Sequence, residues 1–222
     1  MPGVDTKFIE ANEKILGSLL DQVLPPDRID ERFGRIQFAA RYRFRRKPDY
    51  TRMRLLAPSP AFPTGISEVR LRADELARMD PQLGQVVIVE NEISYLALPE
   101  RPDTVAIFGS GFALGSVVGF SWLQDKVITY WGEIDTYGFL ILNRLRARYP
   151  KVVSMLMDVE TLLAHPLQWV TEDKPTNQPL PHLTEPEAAL YRDLIEDRYG
   201  HQVRLEQERV RFSLVRQALA SS

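Results

Sequence analysis

From Gln85 onward the chain alternates short apolar runs with segments of helical spacing, and that alternation restricts the fold more than any other feature. Val86-Val87-Ile88-Val89 and Val127-Ile128-Thr129-Tyr130-Trp131 are apolar at nearly every position, as strands covered on both faces must be. The expected fold class is therefore α/β, a parallel sheet flanked by helices. Strands are expected at 85–89, 104–108, 126–132 and 151–157, with helices at about 91–98, 111–124, 136–148 and 159–165. Each link is short enough for a right-handed crossover.

Residues 1–80 read as a smaller α+β lead-in, and 81–222 as the main domain. The spacing of Phe8, Ile9, Ile15, Leu16, Leu19, Leu20 and Val23 predicts a helix over 6–24, stopped by Pro25-Pro26. Short strands are expected at 36–44, 52–57 and 67–72, separated by Lys47-Pro48-Asp49 and a Pro-rich stretch over 58–65. Towards the end, Thr184 and Glu187 form a capping-box pattern with Pro186 in the first turn, opening a helix to about Tyr199 that Gly200 ends. A short strand near 202–205 and a terminal helix carrying Val210, Leu214, Val215 and Leu219 follow.

Composition narrows the chemistry. The 222 residues contain no cysteine and three histidines, which excludes disulfides, thiolate nucleophiles and cysteine-based zinc or iron–sulfur sites. Any metal is expected on carboxylates. No apolar run approaches the roughly 20 residues needed to cross a bilayer, and Met1-Pro2-Gly3-Val4-Asp5 lacks the basic and apolar regions of a secretory signal. A cytoplasmic location without membrane contact is expected. The net charge of −2 gives no global attraction to nucleic acid, but Arg32, Arg35, Arg41, Arg43, Arg45, Arg46, Lys47, Arg52 and Arg54 crowd one segment, interleaved with Phe33, Phe38, Tyr42, Phe44 and Tyr50. Arg41, Arg43, Arg45, Arg46 and Lys47 suit a DNA backbone, and Arg alternating with aromatics on the solvated face of a strand is an equal reading that does not exclude the first.

The two apolar runs named first both end in acid, at Glu90-Asn91-Glu92 and at Glu133-Ile134-Asp135, and 151–157 runs into Asp158 and Glu160. Ligands of open α/β sheets collect at the carboxyl ends of strands. Converging carboxylates repel unless a cation compensates them, so Glu90, Glu92, Glu133, Asp135 and Asp158 are candidate ligands for Mg²⁺ or Mn²⁺. Taken singly, each has an ordinary alternative: Asp135 as the N-cap of the helix at 136–148, the others as solvated loop or helix-start acids.

Val-Ile-Val-Glu90-Asn91-Glu92, the Gly109-Ser110-Gly111 turn and Tyr130-Trp131-Gly132-Glu133-Ile134-Asp135-Thr136-Tyr137-Gly138-Phe139 resemble the Toprim fold of topoisomerases, primases and the Spo11 and topoisomerase VI cleavage subunits. Leu156-Met157-Asp158-Val159-Glu160-Thr161-Leu162 and Arg204-Leu205-Glu206-Gln207-Glu208-Arg209 more closely resemble the C-terminal region of the JetD family, also called MksG, the nuclease subunits of Wadjet plasmid-defence systems. The resemblance implies a metal-dependent DNA endonuclease that works on plasmid duplex DNA with a condensin-like SMC complex, as a homodimer. It implies Glu90 as general acid/base or metal ligand, and Glu133 and Asp135 as the paired acids that bind Mg²⁺. Glu133 departs from the commoner first Asp, and Asn91 stands where many Toprim proteins have Gly. Tyr130 and Tyr137, inside the motif, read as structural, so hydrolysis by metal-activated water is expected rather than attack by tyrosine. Glu206 and Glu208 match the family motif and are expected to pair with Arg204 or Arg209. Relatives carry further upstream regions, so a C-terminal piece or a short family member is expected. Two rival readings stay open. One is a catalytically silent Toprim module that binds DNA or a partner; the other is a dinucleotide-binding oxidoreductase, suggested by Gly109-Ser110-Gly111-Phe112-Ala113-Leu114-Gly115.

Overall fold

The computed structural model describes residues 5–44, 48–63, 65–79, 81–109, 117 and 119–221. The chain divides into two compact units, 1–48 and 49–222.

In the first unit, Asp5 caps α1 (Thr6–Ala11) by accepting from the Phe8 N–H at 2.7 Å. The single helix expected over 6–24 is broken at Asn12, whose side-chain amide donates to the Phe8 carbonyl at 2.8 Å. Asparagine competes in this way with the regular helix ladder. The chain resumes as α2 (Glu13–Val23). The strand expected at 36–44 is instead a 3₁₀ turn, Arg35–Gln37, followed by α3 (Phe38–Arg41). Phe38 and Tyr42 are four residues apart, the spacing that brings side chains together on a helix, and their rings meet edge to face at 5.0 Å. The buried Tyr42 hydroxyl donates to the Gly17 carbonyl at 2.7 Å, pinning this turn to α2.

The second unit is built on a six-stranded sheet in the order β2-β1-β4-β3-β5-β6. Its strands are β1 (Tyr50–Leu55), β2 (Glu68–Arg72), β3 (Gln85–Val89), β4 (Thr104–Phe108), β5 (Val127–Trp131) and β6 (Val153–Ser154). Strands β3 to β6 pair in parallel, whereas β1 is antiparallel to both β2 and β4. Thus β1 and β2, within the 1–80 lead-in of the sequence reading, extend the main sheet, and the compact units divide at 48/49 rather than at 80/81. The register sets Val89 opposite both Phe108 and Trp131, so β3, β4 and β5 end level with one another.

Helices α4 (Ala73–Leu76), α5 (Glu92–Ala97), α6 (Thr136–Arg148), α7 (Val159–Leu163), α8 (Glu185–Ile195) and α9 (Phe212–Ser221) flank the sheet. Phe139, Leu142 and Leu145 of α6 are fully buried in the core with Ile88, Ile107 and Tyr130. A second small sheet pairs β7 (Val170–Thr171) antiparallel with β8 (Val203–Arg204). The strand expected at 151–157 contracts to two residues, because the chain turns at Leu156 with φ 55°. Half of the helix expected at 111–124 lies outside the described residues, and Ser121–Asp125 forms a 3₁₀ turn. The Thr184–Glu187 capping box is present, but α8 stops at Ile195, short of Tyr199, where Asp197 takes φ 55°.

Helix α6 is locked to α8 by a buried ion pair between Arg146 and Glu187, with one contact at 2.8 Å. Burial alone would raise the Glu187 carboxyl, but donors from Arg146, Ser154 and Thr184 outweigh it and hold the group at about 2. Among the described residues, no helix is long and apolar enough to cross a membrane.

Candidate metal centre

The level ends of β3 and β5 deliver Glu90 and Glu133 to one edge of the sheet, and the turn from β5 into α6 adds Asp135. Asp135 is almost fully buried and caps α6, its Oδ1 accepting from the Gly138 N–H at 2.6 Å. Two glycines permit this close packing. A Cβ on Gly138 would lie 2.2 Å from the Glu133 carbonyl oxygen, and one on Gly132 would strike the Tyr130 hydroxyl. That hydroxyl, fully buried, donates to Glu90 Oε1, and the Glu133 backbone also bonds the Glu90 carboxyl.

A second layer comes from residues distant in sequence. Arg204 on β8 places its Nε 2.5 Å from Asp135 Oδ2 and 3.4 Å from Glu133 Oε2. Leu205 exchanges backbone hydrogen bonds with Ile134. Gln207 then spans both strand ends: its side-chain oxygen accepts from the Asn91 N–H at 2.6 Å, and its amide donates to the Trp131 carbonyl. Glu172, just after β7 and buried, accepts from the Thr136 N–H at 3.1 Å, the Thr136 hydroxyl at 2.8 Å and the Tyr137 N–H at 3.2 Å, at the start of α6.

The electrostatics of this edge are those of crowded negative charge. Burial pushes Glu90 up to about 8, a rise that the Tyr130 hydrogen bond opposes and the charges of Glu133 and Asp135 reinforce. Burial and Asp135 push Glu133 up to about 7 against the pull of Arg204, with Glu206 and Glu208 adding to the rise. Burial and Asp135 raise Glu172 as well. Hard carboxylate oxygens short of positive charge are the donor chemistry that Mg²⁺ or Mn²⁺ takes. In this arrangement, however, Arg204 supplies the cation, and among the described residues no three His, Asp or Glu side chains are grouped so as to hold a metal ion. The donor set fits a divalent ion in chemistry; two of its carboxylates, Asp135 and Glu133, face a guanidinium instead.

Of the acids singled out in the sequence, Glu90, Glu133 and Asp135 come together. Glu92 sits at the start of α5 and pairs instead with Arg52, which also contacts Glu68 at 2.5 Å. Asp158 is exposed and caps α7, accepting from the Thr161 N–H at 2.7 Å. Glu160 is exposed in the first turn of that helix. Glu206 pairs with Arg209 at 2.6 Å, whereas Arg204 turns to Asp135 and Glu133. Of the basic segment, Arg41 is held by Asp21 at 2.9 Å and by the Phe33 carbonyl, and Arg43 is exposed with φ 54°. Arg45, Arg46 and Lys47 lie outside the described residues, as does the glycine motif of the oxidoreductase reading apart from Gly109. Arg204, Gln207 and Glu172 were not recognisable as site residues from spacing. Tyr130, read as structural, also orients a candidate site residue.

Fold and site together define a mixed α/β protein with an acidic cluster at the carboxyl edge of its parallel strands, an arrangement consistent with a Toprim-like fold. The family described as Wadjet protein JetD, C-terminal, matches residues 43–219, and the chain belongs to it. No curated protein matches the chain.

Proposed function

We propose that this chain is the Mg²⁺- or Mn²⁺-dependent DNA endonuclease module of a Wadjet plasmid-defence system. The observation that carries the reading is the meeting of Glu90, Glu133 and Asp135 at the level ends of β3 and β5, where burial, reinforced by the charge of Asp135, raises the pKa of both Glu90 and Glu133. Glu133 and Asp135 are the residues that would hold the ion. When bound, a divalent ion polarises a phosphodiester and lowers the pKa of water. Glu90, fixed by Tyr130, holds a proton near neutral pH and can pass it to the departing sugar oxygen as a general acid. Gln207 keeps the two strand ends at a fixed spacing, and Glu172 fixes the start of α6, so the acids are presented on rigid backbone. The proposed partners are plasmid duplex DNA, condensin-like SMC subunits and a second copy of the chain, in keeping with membership of a Wadjet family.

The experiment is cleavage of supercoiled plasmid with Mg²⁺, Mn²⁺ or EDTA. Cleavage is expected only with metal, and Glu133→Ala or Asp135→Ala should abolish it while the protein stays folded. Equal cleavage in EDTA rejects the proposal. The Arg204 contacts favour a second reading, a silent module in which the guanidinium permanently neutralises the acids and the chain only binds DNA or a partner. DNA binding without metal-dependent cleavage would select it.

A further inference from the structure

We infer that Arg204 is a resident counter-cation that competes with the divalent ion for Asp135 and Glu133, so that metal entry requires its guanidinium to leave both carboxylates. The inference deepens the nuclease reading and rests on it. Three observations carry it. First, a single Nε makes both contacts, 2.5 Å to Asp135 Oδ2 and 3.4 Å to Glu133 Oε2. This is a side-on hold, weaker and less specific than the bidentate fork that arginine forms with one carboxylate. Second, the side chain keeps 24% of its surface in solvent while Asp135 keeps 1%, so the guanidinium has a route outward and the carboxylate does not. Third, the oxygen that Arg204 covers is the one the fold leaves for a ligand: Asp135 Oδ1 is committed to the helix cap, and Oδ2 faces Arg204.

A structural staple would also place an arginine here, but the two roles predict opposite changes in metal affinity. If Arg204 only braces the turn, removing it disorders the acids and weakens metal binding. If it competes, removing it frees Asp135 Oδ2 and tightens binding. Leu205 and Gln207 brace the same turn through Ile134, Asn91 and Trp131, so the backbone has support that does not depend on the Arg204 side chain.

The test is Mn²⁺ binding to the intact chain, followed by the loss of the free-ion paramagnetic resonance signal. Arg204→Gln should bind Mn²⁺ about tenfold more tightly than the unaltered chain, and Arg204→Lys, which restores a cation, should return towards the original affinity. As a check needing no variant, the Arg204 Nε–H resonance should shift and lose protection from exchange when Mg²⁺ is added. Weaker or unchanged Mn²⁺ binding by Arg204→Gln, or an unmoved Nε–H with Mg²⁺ bound, overturns the inference and leaves the nuclease reading standing. If the unaltered chain binds no Mn²⁺ and Arg204→Gln does, the competition is confirmed and the silent-module reading gains. If neither binds, both the inference and the metal-dependent reading fall.

Discussion

Asp135 combines two roles that a pair of substitutions separates. Its Oδ1 caps α6 at 2.6 Å from the Gly138 N–H, and its Oδ2 lies 2.5 Å from Arg204. Asparagine keeps an oxygen for the cap and nearly the same volume but presents a donor towards Arg204; alanine removes both functions. Without metal, the loss of charge acts in opposite directions. Arg204 loses its nearer partner, a contact between charged groups of about 1.5–3 kcal/mol, while the ionised forms of Glu90 and Glu133 are relieved of a neighbouring negative charge. Asp135→Asn should therefore lie within about 1–2 kcal/mol of the original protein in EDTA. Asp135→Ala should lose a further ~1 kcal/mol for the cap, a gap of about 2–4 °C in melting temperature for a unit of this size. Adding Mg²⁺ at about 100 times its Kd should stabilise the original protein by ~2.7 kcal/mol and neither variant appreciably. Differential scanning calorimetry in EDTA and in Mg²⁺ measures all of these. Coincident melting of the two variants in EDTA would refute the cap assignment. A full Mg²⁺ shift in Asp135→Asn would refute the assignment of Asp135 as a ligand.

The acids also predict an unusual dependence of stability on pH. Folded Glu90 and Glu133 keep protons up to about 8 and about 7, which the unfolded chain releases near 4.5, so stability in EDTA should fall as pH rises through that window. Urea unfolding from pH 5 to 8.5 tests this, and stability that rises across the range would contradict it. Glu187, held at about 2, contributes in the opposite sense, its stabilisation being lost only as pH falls from 4.5 towards 2. Gly138→Ala sets a Cβ against the Glu133 carbonyl and should cost about 2–3 kcal/mol, whereas Gly34→Ala, which meets nothing within 4 Å, should stay within ~0.5 kcal/mol. Chemical denaturation compares the two, and equal effects would argue against the close approach. Glu187→Leu strands the buried Arg146 and should cost about 3–5 kcal/mol, most of which Arg146→Met in the same chain should restore. A double-mutant cycle with no coupling would refute the pairing.

The parts of this fold that sequence made legible are those governed by local rules. Strands β3 and β4 match their expected limits because continuous β-branched runs have no competing local structure, and α6 begins at Thr136 because Asp135 is an effective cap. The acids could be placed on one edge once the strands were parallel and level. Residues 36–44 misled because arginine–aromatic alternation imitates a strand, while the four-residue spacing of Phe38 and Tyr42 serves a helix turn packed on Gly17. Burial against α2 decided between two local patterns, and nothing in the segment itself records that packing.

The partners of the acids were hidden for a different reason. Arg204 meets Asp135 across 69 positions of sequence and Gln207 meets Trp131 across 76, so no spacing rule connects them. Yet they decide the state of the site. Three carboxylates held together on rigid backbone are unstable alone, and a fold can resolve that with a metal, with protons or with a cation of its own. Here two of these means are visible in one place: Glu90 and Glu133 favour protonation near neutral pH, and Arg204 covers Asp135 Oδ2. Because Arg204, Leu205 and Gln207 lie on one short segment, the strap that bonds the ends of β3 and β5 also carries the cation that faces Asp135 and Glu133. Any movement of residues 204–207 must therefore change the geometry and the electrostatics of the acidic edge together.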